Sequence, residues 1–416
     1  MKMCREEVKD MIYLDNAATT RIRPEVLNIM TEFLAENYAN PSSIYKPARQ
    51  AKAAIDKARE QVQKAIGADR PAEVFFTSSG SEAINWALKS IATQNANRGK
   101  HIITTAVEHH AVLHTIEYLE KEGFEVTYLP VDEFARIEVE QVKAAIRPDT
   151  ILVAVMFANN EVGTIMPIAE IGAHLKEING QRGKDDKVYF FTDAIQAIGR
   201  IPVDVNALNI DLMPISAHKL YGPKGVGALY VRRGVKMLPL IHGGGQERGR
   251  RGGTENVAGI AALGLAVELA IDEMDETAKK HTEMRQYLID GILKAIPHSK
   301  LNGHPEHRLP NNINITFEFI EGEGMLLLLD SKNIAASSGS ACTSGSLDPS
   351  HVLMAMGLPH EMAHGSLRLT FGQDTEKGDL DGVLEVLPTI VERLRQISPL
   401  WEEFQRVGNI DIFLGK

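Results

Sequence analysis

Two short motifs carry the most chemical information in this chain: Ser216-Ala217-His218-Lys219 and, one structural unit earlier, Asp193-Ala194-Ile195-Gln196. Each follows an apolar run, so Lys219 and Asp193 are predicted at corresponding ends of neighbouring strands. A lysine amine can condense with an aldehyde to form a Schiff base. A buried carboxylate can keep a pyridine nitrogen protonated, so that the ring withdraws electrons. The pair reads as a site for pyridoxal 5'-phosphate. Far along the chain, residues 338–345 place Cys342 in a stretch of Gly, Ser and Thr. A thiol and an electron sink together point to sulfur chemistry.

Each of these residues also has a plainer reading. Asp193, at the end of an apolar strand, needs a cation; a pyridinium would serve, and so would an ion pair with Arg200. Thr77-Ser78-Ser79-Gly80-Ser81-Glu82 joins a strand to a helix and offers hydroxyls and N–H groups to a phosphate, or is a simple serine cap. His109 starts the next helix, as a cap or as a ring placed to stack. The glycine-dense basic loop 242–254 either cradles an anion or is solvated and flexible; it matches neither a P-loop nor a dinucleotide fingerprint. Arg368, inside the apolar run Ser366-Leu367-Arg368-Leu369-Thr370, needs a partner: a substrate carboxylate, or an internal Asp or Glu.

The elements that must position these groups follow from periodicity. From about residue 73 to 217, apolar β-rich runs alternate with helical patterns, which predicts an α/β fold with a mostly parallel sheet covered on both faces. Residues 225–232 form one more strand, after a tight turn, that need not be parallel. Ala54, Ile55, Ala58, Val62 and Ile66 share one face of a covering helix ended by Gly67. Beyond Gly253 the pattern changes to a long helical stretch over 261–296, then an α+β region with a strand at 313–317, a helix at 323–329 and a final amphipathic helix from Asp379. The expected division is a large domain over 14–260 and a small domain made of 1–13 and 261–416, which carries the Cys342 loop.

The chain has 416 residues, 44% hydrophobic and 24% charged, with a formal net charge of -10. No basic run is present to attract nucleic acid, and no apolar span is long enough to cross a bilayer. The start of the chain has no apolar signal core, so the cytoplasm is the expected location. Cys4 and Cys342 are the only cysteines. They cannot build a disulfide framework, which makes Cys342 a free thiol.

Taken together, the motifs resemble a cysteine desulfurase of the group serving iron–sulfur cluster assembly, within the aminotransferase class V family of fold-type I pyridoxal phosphate enzymes. The resemblance runs from residues 13–20 and 40–43 through Glu108-His109, Asn159-Asn160-Glu161-Val162-Gly163 and residues 192–196. The lysine motif, the Gly-Gly-Gly-Gln-Glu-Arg loop and residues 338–344 complete it. It implies a seven-stranded-type sheet. Lys219 would bind the cofactor and move the α-proton, Asp193 would pair with the pyridine nitrogen, and His109 would stack on the ring. Asn160 and Gln196 would approach the phenolic oxygen or substrate. Gly80, Ser81, Ser216 and His218 would hold the phosphate, with Thr254 supplied by the second subunit of a homodimer. Arg368, helped by Asn16, would hold the carboxylate of L-cysteine, and Cys342 would carry sulfur as a persulfide to a scaffold or other acceptor protein. No metal is implied. Two features depart from the family pattern: Ser81 where many members have Thr, and an insertion around 184–186.

The alternatives are a selenocysteine lyase or another class V aminotransferase-like lyase, neither of which requires Cys342, and a non-catalytic subunit that kept the fold. Retention of Lys219, Asp193, His109 and Cys342 argues against the last.

Overall fold

The computed structural model describes residues 11–183, 186–338 and 349–408. The described chain opens with β1 (Ile12–Tyr13), α1 (Pro24–Ala35) and α2 (Lys46–Ala65). The strand–helix alternation then follows as β2 (Val74–Thr77), α3 (Gly80–Asn95), β3 (His101–Thr105), α4 (His110–Lys121), β4 (Glu125–Leu129), α5 (Val139–Ala145), β5 (Thr150–Ala154), α6 (Ile168–Gln181), β6 (Tyr189–Phe191), β7 (Leu212–Ser216) and β8 (Gly227–Val231). These strands form one seven-stranded sheet in the order β2-β8-β7-β6-β5-β3-β4. Strands β3, β5, β7 and β8 are buried along their whole length, as their continuous apolar sequences require when both faces are covered.

Pairings from β7 through β6, β5 and β3 to β4 are parallel, whereas β8 runs antiparallel to both β7 and β2. Two reversals cancel, so β2 points the same way as β7. The carboxyl ends of β2, β3, β5, β6 and β7 therefore share one edge of the sheet, where α/β folds bind their ligands.

On one face, α2 buries Ala48, Ala51, Ile55, Ala58 and Val62, and Gly67 at φ +67° lies just past its end. Across it lies α7 (Val257–Asp272), which is apolar nearly all round because it sends Val257, Ile260, Leu263 and Val267 into the main core and Ala262 and Ala266 toward Val26 of α1. The expected helical stretch over 261–296 is present as two helices. Glu273 breaks the run with φ -98° and ψ 0°, its carboxylate 2.7 Å from Arg23, and α8 (Met274–Ala295) departs to a second core.

That second core gathers Leu14, Leu288, Ile313, Phe317, Met325, Leu367 and Leu387. It is built on the antiparallel sheet β12-β10-β9, with β9 (Ser299–Leu301), β10 (Asn312–Phe317) and β12 (Ser366–Thr370), and on the helices α9 (Gly322–Asp330) and α11 (Lys377–Gln396). Strand β11 (Ile334–Ala335) pairs with β1, which ties the start of the described chain to this core. The short helix α10 (His351–Ala355) instead places Val352 and Leu353 in the main core. The helix expected as the last is followed by another, α12 (Pro399–Val407), opened by a proline at its first position.

The glycine-dense loop is pinned at two points. Glu247 forms a buried ion pair with Arg59 at 2.8 Å and accepts the Phe76 N–H, and Arg251 reaches Glu82 at 3.0 Å. Arg248 is held too, donating to the Ala72 and Val74 carbonyls, each at 3.0 Å.

Helices α2 and α7 approach closely at Gly264, where an added Cβ would lie 2.6 Å from Ala58 Cα. Gly264→Ala should therefore cost about 1–3 kcal/mol through overpacking. Urea unfolding checks this: the midpoint should fall at unchanged slope, and an unchanged midpoint would show that the two helices can separate freely.

Candidate active site

At the carboxyl edge of the main sheet lies a cavity of about 340 Å³. Each strand end delivers something to it. The β2–α3 junction supplies Ser79, Gly80 and Ser81; the segment after β3 supplies His109; that after β5 supplies Met156, Ala158 and Asn160. Asp193, Ile195 and Gln196 follow β6, Ser216 ends β7, and His218 and Lys219 follow it on a 3-10 turn over Ala217–Lys219. Arg368 enters from β12, and Ala17 and Ala18 close the cavity from the N-terminal segment.

Asp193 is buried, and its Oδ1 accepts the Ile195 N–H at 3.0 Å. Burial pushes its pKa up to about 6, with the charge of Lys219 pulling in the opposite direction. Arg200 is not its partner: that guanidinium donates instead to the carbonyls of Gln196 and Lys219, both at 3.0 Å. The ion pair weighed as the plain alternative is thus absent, and Asp193 faces the cavity as a buried carboxylate suited to a ligand cation.

The Lys219 Nζ donates to the Ala17 and Ala18 carbonyls, each at 2.6 Å, and the Gln196 amide donates to the same Ala17 carbonyl at 3.0 Å. His109 is both a cap and a cavity wall, since its Nδ1 accepts the Ala111 N–H at 3.1 Å. Burial, then the nearby Lys219 charge, lowers its pKa to about 4, so the ring is neutral at physiological pH. An uncharged imidazole can lie against an electron-poor ring without repelling it. His218 is likewise lowered to about 4, by burial and Lys219, and its Nδ1 lies 3.2 Å from Thr19 Oγ1.

Gly80 begins α3, a helix of 16 residues capped by Ser79, whose hydroxyl accepts the Glu82 N–H. A Cβ at position 80 would lie 2.4 Å from Ile195 Cδ1, so a larger residue here would have to push the Ile195 side chain aside at the cavity wall. An open helix N-terminus, a buried carboxylate, a neutral imidazole and a cavity-lining lysine fit pyridoxal phosphate as a donor set.

Arg368 is almost fully buried and makes the internal contact that was the plain reading: its Nη2 lies 2.9 Å from Asp15 Oδ1, while Nη1 donates to the Asn160 carbonyl at 3.1 Å. Its Nε has no partner. The guanidinium is therefore oriented by the protein while still lining the cavity. Asn16 does not line it; its amide donates to the Thr370 and Tyr13 carbonyls. Thr254 is exposed and lines a separate cavity of about 60 Å³ with Thr77, Ser78 and Arg251. Cys342 lies outside the described residues.

Sequence reasoning missed Asp15, the Ala17 and Ala18 carbonyls and the Arg59–Glu247 pair. Backbone carbonyls have no residue signature, and Asp15 was visible only as part of the quoted 13–20 motif. No group of three or more side chains able to hold a metal occurs among the described residues, and no described helix is long and apolar enough to cross a membrane.

Comparison with known proteins bears on the same residues. The aminotransferase class-V family profile matches residues 12–383. A protein of Clostridium botulinum (strain Hall) named cysteine desulfurase IscS is 56% identical over 397 residues, covering 95% of this chain and 98% of that one. A solved structure named NifS-like protein superposes with a TM-score of 0.85 at 39% identity, covering 92% of this chain and all of that chain. Another, SspA in complex with cysteine, gives a TM-score of 0.75 at 37% identity over 86% of this chain and 98% of its own. The chain belongs to the aminotransferase class-V family, as a cysteine desulfurase.

Proposed function

We propose that this protein removes sulfur from L-cysteine, releasing L-alanine and leaving a persulfide on Cys342 for an acceptor protein of iron–sulfur cluster assembly. The observation that carries this reading is the convergence of Lys219, Asp193, His109 and Arg368 on one cavity in a chain with the desulfurase likeness described above.

Pyridoxal phosphate, when bound, supplies the electron sink that makes the substrate α-proton acidic and lets the β-sulfur leave. The side chains around it have separate tasks. Among the described residues Lys219 is the only lysine lining the cavity, and it is the residue that would hold the cofactor covalently. Its Nζ also takes the α-proton and returns it. Asp193 would balance the pyridinium charge, and His109 would cover the ring. The N-terminus of α3 at Gly80 and Ser81, with Ser216 and His218, receives the phosphate. Gln196 and Asn160, which line the same cavity, would approach the cofactor's phenolic oxygen or the substrate. Arg368, held in place by Asp15 and the Asn160 carbonyl, receives the substrate carboxylate, with Asn16 behind it fixing the strand.

Sulfur transfer conserves atoms. The Cβ–S bond of cysteine breaks, an S–S bond forms on Cys342, and alanine keeps the carbon skeleton. The thiolate is the reactive form of Cys342. A reducing cytoplasm keeps that thiol free, and a homodimer would bring Thr254 to the neighbouring phosphate. We propose a cofactor-binding domain over 14–260 and a smaller one of 1–13 and 261–416 that carries Cys342, with the boundary corrected at three points: α7 to Asp272 and α10 pack in the main core, and Leu14 packs in the second.

Incubation with L-cysteine tests the reading directly: alanine and, with a reductant, sulfide should form in equal amounts. Cys342→Ser should keep the cofactor but form neither product from cysteine. Full activity in that variant would favour the lyase alternative. Arg368→Ala should raise KM for cysteine roughly 30- to 150-fold, the loss of a charged hydrogen bond worth about 2–3 kcal/mol.

Asp193 makes a separate prediction for the cofactor-free protein. Its folded pKa of about 6 lies above the ordinary 3.8, so the folded state holds the extra proton between those values and stability falls as pH rises through that window. Asp193→Asn should remove this cost, stabilising the cofactor-free protein at pH 7.5 by up to about 3 kcal/mol and hardly at all near pH 4. Urea unfolding at both pH values decides it; destabilisation at pH 7.5 would mean that the carboxylate has a structural partner.

A further inference from the structure

Two buried carboxyl residues that the mechanism does not use flank two residues that it does. Glu108 precedes His109, and Glu161 follows Asn160. Each is pinned locally. Glu108 Oε1 accepts from Thr105 Oγ1 and the Met156 N–H, both at 2.8 Å. The Glu161 N–H donates to Asn159 Oδ1 at 2.8 Å, and its carbonyl accepts the side chains of Asn312 and Asn314 at 3.3 and 3.2 Å.

Both are also held by consecutive residues at the start of α10. The Ser350 hydroxyl donates to Glu161 Oε2 while its oxygen accepts the Leu353 N–H, capping the helix. His351 Nε2 lies 3.0 Å from the Glu108 carbonyl and is the donor, since a carbonyl only accepts. Burial lowers the His351 pKa and keeps the ring neutral, in that tautomer. Val352 and Leu353, buried in the main core, anchor the helix that carries this clip.

We propose that Ser350 and His351 are positioning residues for the desulfurase reaction, clipping the Asn160 and His109 segments to a single helix start and so fixing the spacing of the two cavity walls. The two arms act on different partners. Through Glu108, His351 sets His109 against the cofactor. Through Glu161, Ser350 sets the turn whose Asn160 carbonyl holds Arg368. The proposal rests on the desulfurase reading, but its cofactor arm can be measured without turnover.

The experiment uses the full chain and compares His351→Ala and Ser350→Ala with the rescue variants His351→Gln, which retains an N–H donor, and Ser350→Thr, which retains the hydroxyl. The readouts are the Kd for pyridoxal phosphate, the visible absorption maximum of the bound cofactor, the KM and kcat for L-cysteine, and thermal stability. His351→Ala should raise the cofactor Kd about tenfold and move the absorption maximum, on the scale of one lost hydrogen bond. Ser350→Ala should leave both near wild type and raise KM about tenfold at nearly constant kcat. The rescue variants should return each value to within about threefold of wild type. Loss of thermal stability alone, equal effects of both alanine variants on both constants, or no rescue would overturn the proposal. Should the alanine variants not fold, the rescue variants decide it, since cofactor Kd or KM in either one more than tenfold from wild type contradicts the clip. A wild-type protein that makes no alanine from cysteine would fail the desulfurase reading instead, leaving the cofactor Kd comparison to judge the His351 arm.

Discussion

The site is organised around a carboxylate that the protein buries. Asp193 sits where β6 ends, inside the interior, with an amide hydrogen bond and the charge of Lys219 as its electrostatic support. Ionising a carboxyl there is costly unless a cation lies against it. The surroundings keep other cations away: Arg200 is turned to backbone carbonyls and Arg368 is tied to Asp15. The neutral histidines His109 and His218 in the same cavity add no competing positive charge. The result is a place whose electrostatics are completed by a ligand rather than by the protein, the arrangement expected where binding and catalysis use the same charge.

Much of this was legible in the sequence because strand order and residue chemistry coincide. Runs such as Ile151-Leu152-Val153-Ala154 admit only a strand covered on both faces, and the groups that follow such runs fall on one edge of the sheet. Hence Asp193, Lys219, His109 and Gly80 could be placed together before any coordinates. The helical stretch over 261–296 was legible as such, but not its division at Glu273: both halves have helical periodicity and Glu is a good helix former, while the pairing of Glu273 with Arg23 arises only in the tertiary structure. The loop at 242–254 was ambiguous for a related reason. Its glycines and arginines allow solvation equally well, and the deciding partners, Arg59 and Glu82, lie about 170–190 residues away.

Arg368 shows how two readings of one residue can both describe it. A buried guanidinium has five N–H donors, more than one carboxylate can use. Asp15 and the Asn160 carbonyl occupy two of its nitrogens, which leaves Nε without a partner. An internal counter-ion and a ligand-binding role exclude each other only if the residue is treated as a point charge. With its planar, forked geometry the internal partner becomes what aims the remaining donors.

The N-terminal segment that supplies Asp15, Ala17 and Ala18 has a consequence for the order in which the molecule is made. Asp15 contacts Arg368 across 353 positions of sequence, and Ala17 meets Lys219 across 202. Ribosomal synthesis delivers Asp15 353 residues ahead of its partner Arg368 in β12. The strand–helix units over 74–231 contain their own neighbours and can collapse as they appear. The early segment must wait without its pairs, so closure of the cavity belongs among the last, high-separation steps of folding, where loop-closure entropy is greatest.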